Sequence, residues 1–129
     1  MKCQSADWHL HFNKGDEMKE IKAYIRPSMA DRVISALEIT GVPGLTVIDV
    51  STLGKWIDPG RSKLSIEYCE RYCSSVKLEL VCSDDDLEKF VNIILEKAHT
   101  GTKGDGKIFI SDISDAVSVR TKKHGAEAI

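Results

Sequence analysis

Between Thr100 and Lys107 the chain runs Thr-Gly-Thr-Lys-Gly-Asp-Gly-Lys, with three glycines inside six residues. Few side chains cover the backbone there, and successive exposed amides in a turn make a nest for anionic oxygens. Lys107 puts a point charge beside it. The chemistry on offer is phosphate binding, although the run is not a Walker A sequence. Taken alone, the same residues serve equally well as a tight connection from a helix to a strand.

Thiols and imidazoles are the other reactive groups. Cys69 and Cys73 lie four apart in a polar stretch, and on a helix they would share a face. With Tyr68 or Glu70 they would make a metal- or redox-responsive site. Two thiols leave a zinc site incomplete, and no pair of cysteines has the C-x2-C spacing of a structural zinc site. Cys3, His9 and His11 could supply three soft-metal ligands or belong to a loose tail, so no metal is assigned. Cys82 closes an apolar alternation and reads as a core residue. Of the histidines only His99 is near the glycine-rich run, where it suits the negative end of a helix. No general base stands with a positioned nucleophile, so the chain is not expected to be an enzyme.

Composition narrows the setting. The 129 residues are 42% hydrophobic and 29% charged, the balance of an ordinary globular domain large enough to fold unaided. A formal charge of −2 gives no electrostatic case for nucleic acid or an anionic membrane. No apolar run nears the ~20 residues that cross a bilayer, and the N-terminus lacks the layout of a secretory signal. Cytoplasmic residence is the expectation.

The elements that must hold the glycine-rich run follow from periodicity. Ile21, Ala23 and Ile25 alternate with Lys22, Tyr24 and Arg26, which predicts a first strand opening at Met18. Residues 1–17 show no period and are expected to be a loose extension of a domain spanning 18–129. Pro27 ends the strand and Ser28 is a suitable N-cap. Ala30, Val33, Ile34 and Leu37 then stripe one helix face up to Gly41. The β-branched run Leu45–Leu53 predicts a second strand, and Val76, Leu78, Leu80 and Cys82 a third. Ser83 caps a second helix whose first turn holds Asp84, Asp85 and Asp86. Leu87, Phe90, Val91, Ile94 and Ala98 form its buried stripe, and Gly101 ends it. Lys107–Ser111 is a fourth strand and Val117–Thr121 a short fifth.

This β-α-β-β-α-β order is ferredoxin-like: an α+β fold with two helices on one face of an antiparallel sheet, here with an extra C-terminal strand. Between the second and third strands, residues 54–74 lose all period, and Pro59-Gly60 marks a turn. An excursion of that length inside a small domain tends to be functional.

The run TGTKGDGKIFIS resembles the C-terminal signature of the PII signal-transduction proteins (nitrogen regulatory protein P-II), and MKEIKAYIRP resembles their first strand. GVPGLTVIDV is similar to their second strand, VKLELVCSDDDLEKFVNIILEKA to their third strand and second helix, and the closing RT and AEAI to their tail. The likeness spans Met18 to Ile129. It implies a divergent PII-like regulator, a homotrimer that binds adenine nucleotide (ATP, ADP or AMP) between subunits. Mg²⁺ is an optional companion and no prosthetic group is implied. The regulated partner would be a membrane transporter or a metabolic enzyme. By the same resemblance Gly104, Asp105, Gly106 and Lys107 lie under the phosphates and Arg120 supplies a second cation. Thr46, Val81 and Thr100 surround the adenine, and Gly54 and Lys55 close the cleft. The 54–74 excursion is then the mobile loop that engages the partner. Slow ATP hydrolysis would act as a timer and leave the role a signalling one.

The departures from that family are specific. PII proteins that sense 2-oxoglutarate carry a glutamine at the position of Trp56 and a lysine at that of Ser75, so that response is not expected here. A first arginine of the final strand, next to the phosphates, is replaced by Ser118. Tyr68 falls where some bacterial members carry a uridylylated tyrosine, which leaves modification, packing and partner contact open for it. Trp56, next to Ile57, is either a partner anchor or a cover over the nucleotide, or local packing that stiffens the loop.

Overall fold

Alternation of apolar and polar side chains from Met18 to Ile25 makes an internal strand of the sheet in the computed structural model, which describes residues 17–67 and 70–129. After this strand, β1 (Met18–Ile25), come α1 (Pro27–Thr40), β2 (Thr46–Leu53), β3 (Lys63–Ser65), β4 (Glu70–Ser83), α2 (Asp84–Ala98) and β5 (Gly106–Ile113). The strands pair antiparallel in the order β2-β4-β1-β5, with β3 bonded to β4. The predicted ferredoxin-like fold is the one observed.

Ile21, Ala23 and Ile25 of β1 and Val76, Leu78, Leu80 and Cys82 of β4 share a buried layer with Ala30, Val33 and Leu37 of α1 and Phe90, Ile94 and Ala98 of α2. Ile34, Leu87 and Val91 pack partly buried around it. Each large side chain buried there contributes about 1.5–3 kcal/mol, so this layer sets the register of the sheet. Burial pushes the Cys82 thiol pKa up to about 11, which keeps it a neutral core group. α1 and α2 leave the opposite face of the sheet uncovered. Lys22, Tyr24, Lys77, Glu79, Lys107 and Phe109 project there, with Tyr24 directly across from both Lys77 and Lys107.

Five details differ from the sequence expectation. First, α1 starts at Pro27 with Arg26 as its N-cap, not at Ser28. Proline suits the first helical position, where its fixed φ helps and its missing N–H costs nothing. Second, the aperiodic excursion is shorter than 54–74. The eight-residue β2 needs a bonded neighbour along its whole length, so β4 extends to meet it, from Thr46↔Glu79 to Leu53↔Tyr72; an unpaired stretch would leave backbone groups unsatisfied. Third, that extension makes Cys73 a strand residue, which removes the helical face on which Cys69 and Cys73 would have met. Fourth, α2 stops at Ala98 with His99 as an extended C-cap, before Gly101 is reached.

Fifth, Val117–Thr121 forms no strand ladder. Only an isolated bridge joins Val117 to His124, because the chain turns back on itself: Ser118 N–H donates to the Lys123 carbonyl at 2.9 Å and Lys122 N–H to the Ser118 carbonyl at 2.8 Å. Asp115 clamps the base of this turn, with Oδ2 lying 2.7 Å from His124 Nδ1. Cys3, His9, His11, Tyr68 and Cys69, and with them all but the last residue of the proposed 1–17 extension, lie outside the described residues.

Candidate functional site

The glycine-rich turn is closed from within by one carboxylate. Asp105 Oδ2 accepts from the amides of Thr100 and Gly101, each at 2.8 Å, and Oδ1 accepts from the Thr100 hydroxyl. Desolvation pushes the Asp105 carboxyl up, but the Thr100 hydroxyl, the two amides and Arg26 together outweigh it and hold it well below the usual carboxylate range. Two of the amides that a nest over the whole run would offer to a ligand are therefore already used. The amides of Lys103 and Gly104 have no acceptor among the described residues. Those two, with Lys107 exposed close by in β5, are what the turn can present to an anion.

Glycine is required at two points of this turn. Gly106 has φ +116, and a Cβ there would fall 1.6 Å from the Tyr24 carbonyl oxygen. Gly104 has φ +99, and a Cβ there would fall 2.8 Å from the Asp58 Cβ. The first glycine lets β5 approach β1, and the second lets the excursion approach the turn.

Arg26 ties these parts together, and nothing in its sequence setting marks it. It is only 7% exposed. Its Nε donates to Asp105 Oδ1 at 3.2 Å, and Nη2 donates to Thr102 Oγ1 at 2.9 Å and to the Lys103 carbonyl at 2.7 Å. Nη1 lies 3.5 Å from Asp58 Oδ2. A buried guanidinium with its planar fork filled in this way orders both loops.

The root of the excursion docks at two further places. Trp56, 38% exposed, packs on Phe109 at 5.5 Å and edge-on to Tyr24 at 5.9 Å. Asp58 sits in a turn in which its Oδ1 accepts from Gly60 N–H at 2.9 Å and its carbonyl from Arg61 N–H at 3.0 Å. The Cys73 thiol lies 3.5 Å from that same carbonyl. Ser75 accepts from the Thr52 hydroxyl at 3.1 Å. Tyr24, Arg26, Trp56, Asp58, Ser75 and Gly104 together line a shallow cleft on the sheet face opposite α1 and α2.

The structure brings Thr100, Gly104, Asp105, Gly106 and Lys107 into one turn. Gly54, at φ +90, and Lys55 head the segment that reaches it. Thr46 and Val81 are not brought there. Thr46 lies on β2, three strand positions from β5 or roughly 14 Å at the usual strand spacing, and Val81 is paired with Glu20 toward the other end of β1. Arg120 stands exposed in the C-terminal turn with no ion pair among the described residues. His99 stands at the C-terminal end of α2 as expected, where its backbone N–H donates to the Leu95 carbonyl at 3.2 Å, and its Nδ1 lies 3.7 Å from Asp105 Oδ2. The ring contacts of Trp56 give it a local packing role and leave part of the indole exposed. No group of three or more metal-ligating side chains occurs among the described residues, and none of their helices is long and apolar enough to cross a membrane.

Comparison with known proteins gives a consistent picture. A family model described as "Nitrogen regulatory protein P-II" matches residues 18–123. Nitrogen regulatory protein P-II 1 of Methanothermobacter thermautotrophicus is 42% identical over 112 residues, covering 87% of this chain and 97% of that one. Nitrogen regulatory protein P-II of Bradyrhizobium diazoefficiens is 38% identical, covering 87% of this chain and all of its own length (100%). Among solved structures, the B. subtilis GlnK–ATP complex superimposes with a TM-score of 0.72 at 26% identity, covering 89% of this chain and 98% of that one. Arabidopsis thaliana PII bound to citrate superimposes with a TM-score of 0.70 at 34% identity, covering 88% and 92%.

Proposed function

This chain belongs to the nitrogen regulatory protein P-II family, whose members are regulators rather than enzymes, and on that premise we propose that it binds adenine nucleotide and relays its occupancy to a partner protein. The observation that carries this reading is the glycine-rich turn. Its Lys103 and Gly104 amides are unpaired, its frame is fixed by Arg26 and Asp105, and Lys107 stands exposed beside it. Fixed donors of this kind suit phosphate, because no reorganisation is needed when the anion arrives. The solved GlnK that this chain resembles holds ATP, which supports adenine nucleotide as the ligand class.

In this reading Gly104, Asp105, Gly106 and Lys107 form the phosphate loop, and Gly54 and Lys55 close the cleft. Thr46 and Val81 are too far from the turn to join it within one chain, and Arg120 makes no ion pair with it. Their assignment to the site is consistent with a homotrimer whose clefts lie between subunits. The excursion that starts at Gly54 is the partner-binding element, its target a transporter or a metabolic enzyme, and the setting is cytoplasmic. The domain that does this spans residues 18–129. With Trp56 engaged by Tyr24 and Phe109, and Ser75 by Thr52, the two positions that carry a glutamine and a lysine in 2-oxoglutarate-sensing PII proteins supply neither a metal-ligating amide nor an ammonium, and in this reading 2-oxoglutarate is not an effector.

Calorimetric titration of the purified protein with ADP and with Mg-ATP, alongside light scattering for mass, tests the reading. Saturable heat with a trimer mass is the expected result. A folded protein that gives no heat with any adenine nucleotide would overturn it.

A further inference from the structure

Asp58 is a carboxylate placed against an anion-binding turn. Its Oδ2 lies 3.5 Å from Arg26 Nη1, and its Cβ and amide nitrogen crowd the Gly104 Cα, where an added Cβ would meet them at 2.8 and 3.3 Å. The Gly104 amide is one of the two unpaired donors of the turn. Arg26, the only buried charged side chain among the described residues, already serves Asp105, Thr102 and Lys103, and its remaining edge is turned to Asp58.

Resting on the phosphate-loop reading above, we propose that Asp58 is a built-in selectivity element. It neutralises the free edge of Arg26 and sets a negative charge beside Gly104, so the site favours the less charged adenine nucleotide, and a more highly charged one must displace the excursion root to bind. The physical reason is Coulombic. A phosphate oxygen held by the Gly104 amide lies within a few ångströms of the Asp58 carboxylate, and like charges at that range oppose each other strongly beside a low-dielectric surface. Each additional phosphate adds to the repulsion. Relief comes from moving Asp58 away from Arg26, and with it the turn that Gly60 and Arg61 close on Asp58. Because coupling free energies are reciprocal, whatever holds Asp58 down weakens the nucleotide to the same degree that the nucleotide releases Asp58.

Asp58→Asn removes the charge and keeps an Oδ1 acceptor for Gly60, so the local turn survives. Titrating ADP and ATP in metal-free buffer, the wild type should prefer ADP, and Asp58→Asn should raise ATP affinity about tenfold more than ADP affinity. Asp58→Glu, which keeps the charge, should stay close to the wild type in this ratio. Amide exchange across residues 57–61 should speed up when ATP binds the wild type and should change less when ATP binds Asp58→Asn. Equal gains for both nucleotides, a loss of ATP affinity, Asp58→Glu behaving as Asp58→Asn, or exchange untouched by ATP would each overturn the proposal while leaving nucleotide binding intact. No heat with either nucleotide, in wild type and variants that melt normally, would instead remove the phosphate-loop reading and this proposal with it.

Discussion

The glycine-rich turn and the root of the excursion meet at Arg26, yet they are held by different physics. The turn is held at its backbone groups: Gly106 and Gly104 permit close approach, the Asp105 carboxylate gathers two amides, and Arg26 holds the Lys103 carbonyl. The excursion root is held by side chains, with Trp56 on two aromatic rings and Asp58 on a guanidinium. A backbone-held element has few ways to rearrange without leaving glycine-only conformations. A side-chain-held element can let go at modest cost. That contrast suits a rigid ligand loop beside a segment free to change its partner contacts.

The contrast breaks if backbone changes in the turn prove cheap. Gly106→Ala puts a methyl group into the Tyr24 carbonyl and should cost on the order of 3 kcal/mol or more, by separating β5 from β1. Denaturant unfolding measures this; a loss below 1 kcal/mol would mean that the turn is softer than its geometry.

Asp105→Asn is expected to cost about 2 kcal/mol, the range for hydrogen bonds to a charged group. The pH dependence carries a sign. A carboxyl whose folded pKa is depressed contributes stability that is present above its unfolded value near ~3.9 and is lost as pH falls through the folded value. Asp105 is depressed. The gap between wild type and Asp105→Asn should therefore stay constant from neutral pH down to about pH 4 and close only below it. A gap that shrinks between pH 7 and 5 would point to another group.

Trp56→Ala should have the smallest effect on global stability, about 1 kcal/mol for lost aromatic contacts on a half-exposed ring. Its main signature is local. Trypsin should cut faster at Lys55, Arg61 and Lys63, whereas no such change is expected at Lys103 or Lys107. Unchanged cleavage in the excursion would show that Asp58 alone holds the root.

Much of the fold is legible in the sequence because burial imposes a period. Ile21, Ala23 and Ile25, then Val76 to Cys82, alternate as a half-buried sheet must, and both helix stripes face that layer. Gly41 ends α1 in the left-handed region as its residue type suggests, at φ +95. The errors fall where period carries no information. Strand length at Glu70–Ser75 is set by what β2 needs across the ladder, and the fate of Val117–Thr121 by bonds closed within its own turn.

In the candidate site, the glycine-rich run declares itself through composition. Arg26 and Asp58 do not. Arg26 reads as the last outward residue of a strand and Asp58 as the start of an Asp-Pro-Gly turn. Their pairing across the fold has no local signal, and neither does the 79-residue separation of Arg26 from Asp105.

Lys107 offers the most direct test of the central claim, since it is the exposed cation beside the two unpaired amides and makes no ion pair among the described residues. Calorimetry of ADP and ATP against wild type and Lys107→Ala, both checked for equal melting temperature, should show a ten- to hundredfold weakening in the variant, or about 1.5–3 kcal/mol for a charge-assisted contact. Equal affinity in the two proteins would contradict the account by placing the phosphates somewhere other than the glycine-rich turn.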